Sequence, residues 1–321
     1  MLKLPRLEQL ENAARLIAPA MKPTPEICWP KLSARCGVEV WVKHENHTPA
    51  GAFKIRGGIP YLDDLLRRGP APAGVLAATR GNHGQSVAFA VRRYGLKATV
   101  VVPRGNSLEN NAAMRAFGAE LIEHGRDFQE SLEYATQFAR ERNLAMVPSF
   151  HELLVTGVGT YALEFLRAAG AMHTVYVPIG LGSGICGVIA AREALGLTTR
   201  IVGVVSDAAP AYALSFAAHK PVSTETANTI ADGIAVRVPH PEAVDIINRF
   251  AERVIAVSDQ EIEQAMRHYF TDTHNVAEGA GAAALAALLK ERDEMGGRSV
   301  GVILSGGNVD RDAYARILSE R

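Results

Sequence analysis

Four short runs in this chain combine residue types that could do chemistry. The first is Gly51-Ala52-Phe53-Lys54-Ile55-Arg56-Gly57-Gly58. Its lysine stands near the start of a helix-period segment, where the positive end of the helix dipole disfavours a cation. A lysine in such a partly positive, dry site has a lowered pKa, and its neutral amine is a nucleophile. For Lys54 in isolation, an ordinary solvated lysine is the commoner reading. The second run, Thr79-Arg80-Gly81-Asn82-His83-Gly84-Gln85-Ser86, follows an expected strand and opens a helix. Gly81 and Gly84 let backbone N–H groups approach an anion closely, and Asn82 can both donate and accept hydrogen bonds. A capped tight turn is the ordinary alternative, and a lone turn histidine such as His83 more often serves packing.

The third run, Val177-Pro178-Ile179-Gly180-Leu181-Gly182-Ser183-Gly184-Ile185, passes from an expected strand through a glycine-rich turn into a helix. That geometry cradles phosphate through backbone amides and the helix N-terminus, and Ser183 adds a hydroxyl. The run lacks the Gly-Lys-Ser/Thr ending of a nucleotide loop, so ATP or GTP is not indicated. It also lacks the third glycine or alanine of a dinucleotide fingerprint and a clear closing acid. In the fourth run, Leu304-Ser305-Gly306-Gly307-Asn308, a strand delivers a serine at its carboxyl end. The glycines allow a planar ligand to lie close to backbone, unless they only end the strand.

Elements that must position these runs can be read from periodicity. Expected strands are Val38–Val42, Gly74–Ala78, Ala98–Val102, Val175–Ile179, Ile201–Val205, Val254–Val257 and Val300–Leu304. Several are continuous apolar runs, as strands buried on both faces are. Between them lie helix-period segments at Ala52–Arg68, Gly84–Tyr94, Ser107–Phe117, Phe128–Arg142, Ser183–Leu195, Asp259–Phe270 and Gly279–Lys290. The alternation predicts an α/β fold of open, mostly parallel sheets with helices on both faces. Each chemical run then falls where a strand meets a turn or helix, the place where ligands of open α/β sheets gather.

The 321 residues, 48% of them hydrophobic, suffice for two lobes. Thirty-four basic residues balance 34 acidic ones, so neither nucleic acid nor a membrane surface is indicated as a partner. Cys28, Cys36 and Cys186 are too few and scattered for a disulfide framework or a zinc site, and the expected location is cytoplasmic. Glu8 and Glu11 interrupt the N-terminal segment, which reads as an amphipathic surface helix rather than a signal peptide. The Ala-rich stretch from Gly279 to Leu289 is too short to span a bilayer.

The four runs in this order, with Thr229-Ile230-Ala231-Asp232-Gly233 and Glu278-Gly279-Ala280-Gly281-Ala282 between the last two, resemble the threonine dehydratase and serine racemase family of pyridoxal-phosphate enzymes. The likeness covers nearly the whole chain, from Pro23-Thr24-Pro25 to Asn308. It implies two twisted, mostly parallel sheets with the cofactor, pyridoxal 5'-phosphate, in the cleft between a large domain (1–47 plus 149–321) and a small one (48–148). It further implies that Lys54 is the Schiff-base lysine, that Phe53 lies beside the ring and that Asn82 bonds the ring hydroxyl. Gly180, Leu181, Gly182, Ser183 and Gly184 would cradle the phosphate, and Ser305 would face the pyridine nitrogen, with Gly233 and Glu278 also lining the cofactor. A serine there, rather than an aspartate, leaves that nitrogen largely unprotonated and favours elimination. Thr79, Arg80, Gly81 and His83 would bind the substrate.

The implied activity is a dehydratase, or ammonia-lyase, acting on a β-hydroxy amino acid such as L-threonine or L-serine. Homodimers are common in the family, and a homodimer is expected. Alternatives are an unusual hydroxy amino acid, such as 3-hydroxyaspartate, phenylserine or a hydroxyectoine-breakdown intermediate, a racemase, or a silent cofactor- or amino-acid-binding protein. Arg80 stands where racemases of the family carry a serine as acid–base group, and an arginine is a poor proton shuttle. Arg80 is read equally as a substrate contact or as a salt-bridged loop residue. Val205 and Ala211 occupy the positions of acidic metal ligands in some relatives, and Asp207 is out of register, so no metal is expected. The chain ends shortly after Asn308, so feedback control through a C-terminal regulatory domain is not expected. Ser149-Phe150-His151-Glu152 and Gly157-Val158-Gly159-Thr160 depart from the family's Pro-Phe-Asp and Gly-Gln-Gly-Thr.

Overall fold

The computed structural model describes residues 2–320. Ten strands and thirteen α-helices alternate: α1 (Leu7–Ile17), β1 (Glu26–Cys28), α2 (Pro30–Cys36), β2 (Glu39–His44), α3 (Ile55–Arg67), β3 (Val75–Ala78), α4 (Asn82–Arg92), β4 (Ala98–Val102), α5 (Leu108–Ala116), β5 (Glu120–Glu123), α6 (Phe128–Glu141), β6 (Ala145–Met146), α7 (Glu152–Ala168), β7 (Thr174–Pro178), α8 (Ser183–Ala194), β8 (Arg200–Ser206), α9 (Ala211–Ala218), α10 (Pro241–Phe250), β9 (Arg253–Val257), α11 (Asp259–Thr273), α12 (Gly279–Lys290), β10 (Ser299–Leu304) and α13 (Arg311–Ser319). They form two sheets, as the family resemblance implied, each mostly parallel, as the alternation predicted.

The larger sheet has the order β1-β2-β10-β7-β8-β9 and is parallel except for the β1–β2 pair. The smaller has the order β5-β4-β3-β6 and is wholly parallel. Every residue of β3, β4 and β7 is buried, which is why these strands are apolar without alternation. β5 is an edge strand whose Glu120 and Glu123 are exposed, and its mixed sequence hid it from a periodicity reading. β1 and β6, of three and two residues, are too short to show a pattern.

The largest departure from expectation is α7. This 17-residue helix buries twelve residues, including Val155, Val158, Tyr161 and Phe165. A helix buried nearly all round shows no apolar stripe, and Gly157 and Gly159 lower its intrinsic propensity, so the sequence alone does not announce it. It packs chiefly on α8 and α3, at two close crossings. Gly157 meets the Arg56 and Gly57 backbone of α3, and Gly159 lies against Gly187 of α8. α1 is amphipathic, and buries Leu10, Ala13 and Ile17. His151, one of the departures noted above, caps α7 by accepting a hydrogen bond from Leu153 N–H at 3.1 Å, with its ring edge-on to Tyr61.

A buried ionic cluster ties these layers together beside the start of α3. The Arg56 guanidinium pairs in two-pronged fashion with Glu45 (2.7 and 3.0 Å) and with Glu164 (2.7 and 2.9 Å). Lys43 Nζ donates to Glu164 (2.7 Å), Glu26 (2.9 Å) and the Thr24 carbonyl (2.7 Å). Arg56, Glu45 and Lys43 are essentially inaccessible. Such charges persist only when fully paired, so the cluster fixes α3 against β2 and α7.

Candidate active site

Three strand ends and one helix start converge on Lys54. Thr48 shapes the loop before it: Thr48 Oγ accepts the Ala52 N–H (2.9 Å) and donates to the Ala52 carbonyl (2.8 Å). The loop after β10 then pairs with it through Phe53 N–H to the Ser305 carbonyl (3.1 Å) and Gly307 N–H to the Gly51 carbonyl (2.9 Å). Gly51 has a positive φ of 65°, and a side chain there would strike Asn308, so glycine is required. From α4, Ser86 Oγ donates to the Lys54 carbonyl at 2.7 Å. The lysine backbone is thus held by both sheets.

Lys54 Nζ donates to Ser183 Oγ at 3.2 Å and lies 5.0 Å from the centroid of the Phe53 ring. Burial lowers its pKa to about 8, against a smaller opposing pull from Glu278. The sequence argument rested partly on the helix dipole; in the fold, desolvation is the larger cause. Ser183 opens α8, whose N-terminus carries no side-chain cap. Its first N–H groups are therefore available to an anion. A side chain at Gly180 would strike the Gly233 carbonyl at 2.4 Å, and one at Gly182, where φ is 103°, would strike Ala243 at 2.5 Å. The Gly180–Gly184 turn can exist only with glycines at these points.

Across from Lys54, Asn82 opens α4 and meets the N-terminus of α12. Its Nδ2 donates to the Glu278 carboxylate at 2.9 and 3.2 Å, and its Oδ1 accepts from Asn308 Nδ2 at 2.8 Å. Asn308 also donates its N–H to Glu278 (3.2 Å) and its side chain to the Ala50 carbonyl (2.8 Å). Burial raises the Glu278 pKa to about 7, restrained by the Asn82 and Asn308 hydrogen bonds. Asn308 was in view only as the end of the fourth run. The structure makes it the joint between Asn82, Glu278 and the loop before Lys54, and its place after two glycines at a strand end was the signal.

Of the second run, Thr79 Oγ accepts the Gly81 N–H at 3.1 Å, which shapes the turn. His83 is buried, and burial together with nearby Lys54 lowers its pKa to about 4, so its ring is neutral. Its Nε2 is buried without a hydrogen-bond partner. Arg80 points elsewhere: it forms an ion pair with Asp232 at 3.1 Å, and both side chains are exposed. Lys54, Phe53, Ser183 and Glu278 are drawn together with the Gly180–Gly184 turn, Gly233, Asn82 and Ser305, while Arg80 sits at the rim. Among the described residues, no group of histidine, cysteine or acidic side chains could hold a metal, and no helix is long and apolar enough to cross a membrane. The three cysteines are free.

Taken together, a buried amine of lowered pKa stands beside a glycine turn and an open helix N-terminus. The amine suits condensation with a carbonyl, and the turn suits an anion. The family model described as "Pyridoxal-phosphate dependent enzyme" matches residues 17–306. The chain is 32% identical to the L-threonine ammonia-lyase of Thermotoga maritima, over 98% of this chain and 78% of that one. It is 30% identical to the L-threo-3-hydroxyaspartate ammonia-lyase of Saccharomyces cerevisiae, over 98% and 97% respectively. Among solved structures it is similar to a maize serine racemase, with a TM-score of 0.91 and 28% identity, covering 98% of this chain and 97% of that one.

Proposed function

The chain belongs to the family of pyridoxal-phosphate-dependent enzymes, and from that premise we propose that it removes water from a small β-hydroxy amino acid such as L-threonine or L-serine, yielding a keto acid and ammonium. The observation that carries the reading is Lys54: an amine in a desolvated site, its pKa lowered to about 8, bonded to Ser183 at the head of an uncapped helix. The residues fit the cofactor. Lys54 would hold it through the amine. The Gly180–Gly184 turn and Ser183 would hold its phosphate. Phe53 would lie beside the ring, Asn82 would bond the ring hydroxyl and Ser305 would face the pyridine nitrogen, with Gly233 and Glu278 completing the walls.

Bound there, pyridoxal phosphate supplies an electron sink for negative charge at the substrate α-carbon. The protein does the rest. Thr79, Gly81 and His83 receive the substrate carboxylate, and the neutral His83 ring adds no charge there. Lys54 Nζ, freed when the substrate amine takes its place, accepts the α-proton as general base, which requires the α-C–H bond to face it. The β-hydroxyl then departs as water, taking up the proton that Lys54 Nζ has accepted. Racemisation needs a proton donor on the opposite face, and Arg80, always protonated, is a poor one. Keto-acid and ammonium release from a panel of L- and D-β-hydroxy amino acids, with Lys54→Ala as control, tests the proposal. No release from any of them by cofactor-loaded protein would refute it.

A second reading, a β-hydroxy dicarboxylic substrate, is favoured by the Arg80–Asp232 pair at the rim and by the likeness to the hydroxyaspartate enzyme. In that case Arg80 leaves Asp232 to bind a second carboxylate. A preference for L-threo-3-hydroxyaspartate over L-threonine that Arg80→Ala abolishes would establish it. We further take residues 48–148 as the small domain and 1–47 plus 149–321 as the large one, supported by all four strands of the smaller sheet lying between 75 and 146. The homodimer rests on the family likeness. A cytoplasmic location agrees with the free cysteines.

A further inference from the structure

A phosphate cradle made of backbone N–H groups works only if its peptides face the right way. In a trans peptide the C=O and the N–H point in opposite directions. The Leu181 carbonyl and the Gly182 N–H belong to one such peptide, in the middle of the Gly180–Gly184 turn. Whatever draws the Leu181 oxygen outward therefore turns the Gly182 N–H inward. Glycine's wide conformational freedom, seen in the φ of 103° at Gly182, leaves this peptide free to flip unless something outside the turn holds it.

The Tyr212 hydroxyl of α9 donates to the Leu181 carbonyl at 2.9 Å and accepts the His240 N–H at 3.1 Å. His240 immediately precedes α10, which begins at Pro241. One buried phenol thus joins the turn after β7 to the heads of two other elements, with both hydrogen-bonding roles of its oxygen used. Ala243 on α10 lies 2.5 Å from where a Gly182 side chain would begin, and the Tyr212 oxygen lies 3.3 Å from the same point. Burial raises the Tyr212 pKa well above the ordinary phenol range, so the group stays a donor. A second buried phenol, Tyr161 of α7, donates to the Gly184 carbonyl at 3.3 Å, so the far end of the turn is held in the same way.

We propose that Tyr212 is a positioning residue that sets the peptide orientation of the Gly180–Gly184 turn and thereby the affinity for the phosphate of the cofactor. This rests on the reading of that turn as the phosphate cradle. The test uses the full chain stripped of cofactor and titrated by absorbance with pyridoxal phosphate and, separately, with pyridoxal, which lacks the phosphate. Tyr212→Phe keeps the ring and loses the hydroxyl. We expect its Kd for pyridoxal phosphate to rise about tenfold, as for one lost buried hydrogen bond, with the Kd for pyridoxal unchanged. An equal loss for both ligands, or for neither, overturns the proposal. Should Tyr212→Phe not fold, Ala243→Val crowds Gly182 beside the Tyr212 hydroxyl and is expected to show the same selective loss; no selectivity there overturns it equally. If the unaltered protein binds pyridoxal as tightly as pyridoxal phosphate, it is the cradle reading that fails.

Discussion

A single methyl group at residue 157 should disable the site from the far side of α3. Gly157 of α7 crosses the first turn of α3, and a Cβ there would lie 2.2 Å from the Arg56 carbonyl oxygen and 2.9 Å from Gly57 Cα. Ordinary contact begins at 3.4 Å, so Gly157→Ala forces the helices apart by roughly an ångström at this crossing. The obstacle is backbone, and Arg56 is pinned by two carboxylates, so the strain passes into the turn that carries Lys54. Overpacking costs about 1–3 kcal/mol, offset by the gain of about 1 kcal/mol from replacing glycine in a helix. Stability should therefore fall only modestly. Turnover should fall about a hundredfold, because a displacement of about 1 Å at the reacting groups costs about that much. The assay is steady-state kcat on the best substrate, beside a thermal melt and the absorbance of bound cofactor. Gly159→Ala on the same helix is the control: its methyl would meet the end of the Leu10 side chain at 2.7 Å, which can move, and the Gly187 carbonyl of α8 only at 3.3 Å, a shortfall of about a tenth of an ångström, so it should keep most of its turnover. Equal kcat for the two variants, or near-normal kcat in Gly157→Ala, would refute the reasoning.

Three further outcomes are expected. Arg56→Met leaves Glu45 buried without its partner and should cost about 3–5 kcal/mol in urea unfolding, with Arg56→Lys recovering only part because an ammonium cannot make both two-pronged pairs; a loss below about 1 kcal/mol would contradict the role given to the cluster. Reductive trapping of a small aldehyde at Lys54, followed by peptide mapping of cofactor-stripped protein, should rise with pH around a midpoint near 8, since burial favours the neutral amine; a midpoint in the ordinary lysine range would contradict the burial argument. The Glu278 carboxyl, raised from 4.5 to about 7, holds its proton in the folded state over a window where the unfolded chain has lost it. Its contribution to stability therefore falls as pH rises from about 4.5 to 7. Glu278→Gln should gain on the parent protein across that window, in unfolding measured on cofactor-stripped protein, and a constant difference between the two from about pH 4.5 to 7 would show that the carboxyl is already ionised.

Local chemistry left its mark in the sequence where one residue type alone can do a local job. β3, β4 and β7 are continuous apolar runs because both faces are covered, and the turns that begin at Gly51 and Gly180 need glycine for backbone approach or positive φ. Those features made the α/β fold of parallel sheets and the four runs around Lys54 legible, while the division into two sheets came from the family resemblance, and the position of Lys54 at a helix start already argued for a lowered pKa. The rest depends on contacts between residues far apart in the chain. α7 has no stripe because it is surrounded, so its pattern records its neighbours rather than its own period. Asn308 meets Asn82 across 226 positions, Tyr212 reaches Leu181 across 31, and Arg56 pairs with Glu164 across 108. No local rule links such pairs. Arg80 shows the same limit: its type ruled out an easy proton shuttle, but only the fold set Asp232 beside it, because the two loops meet only when the sheets are assembled.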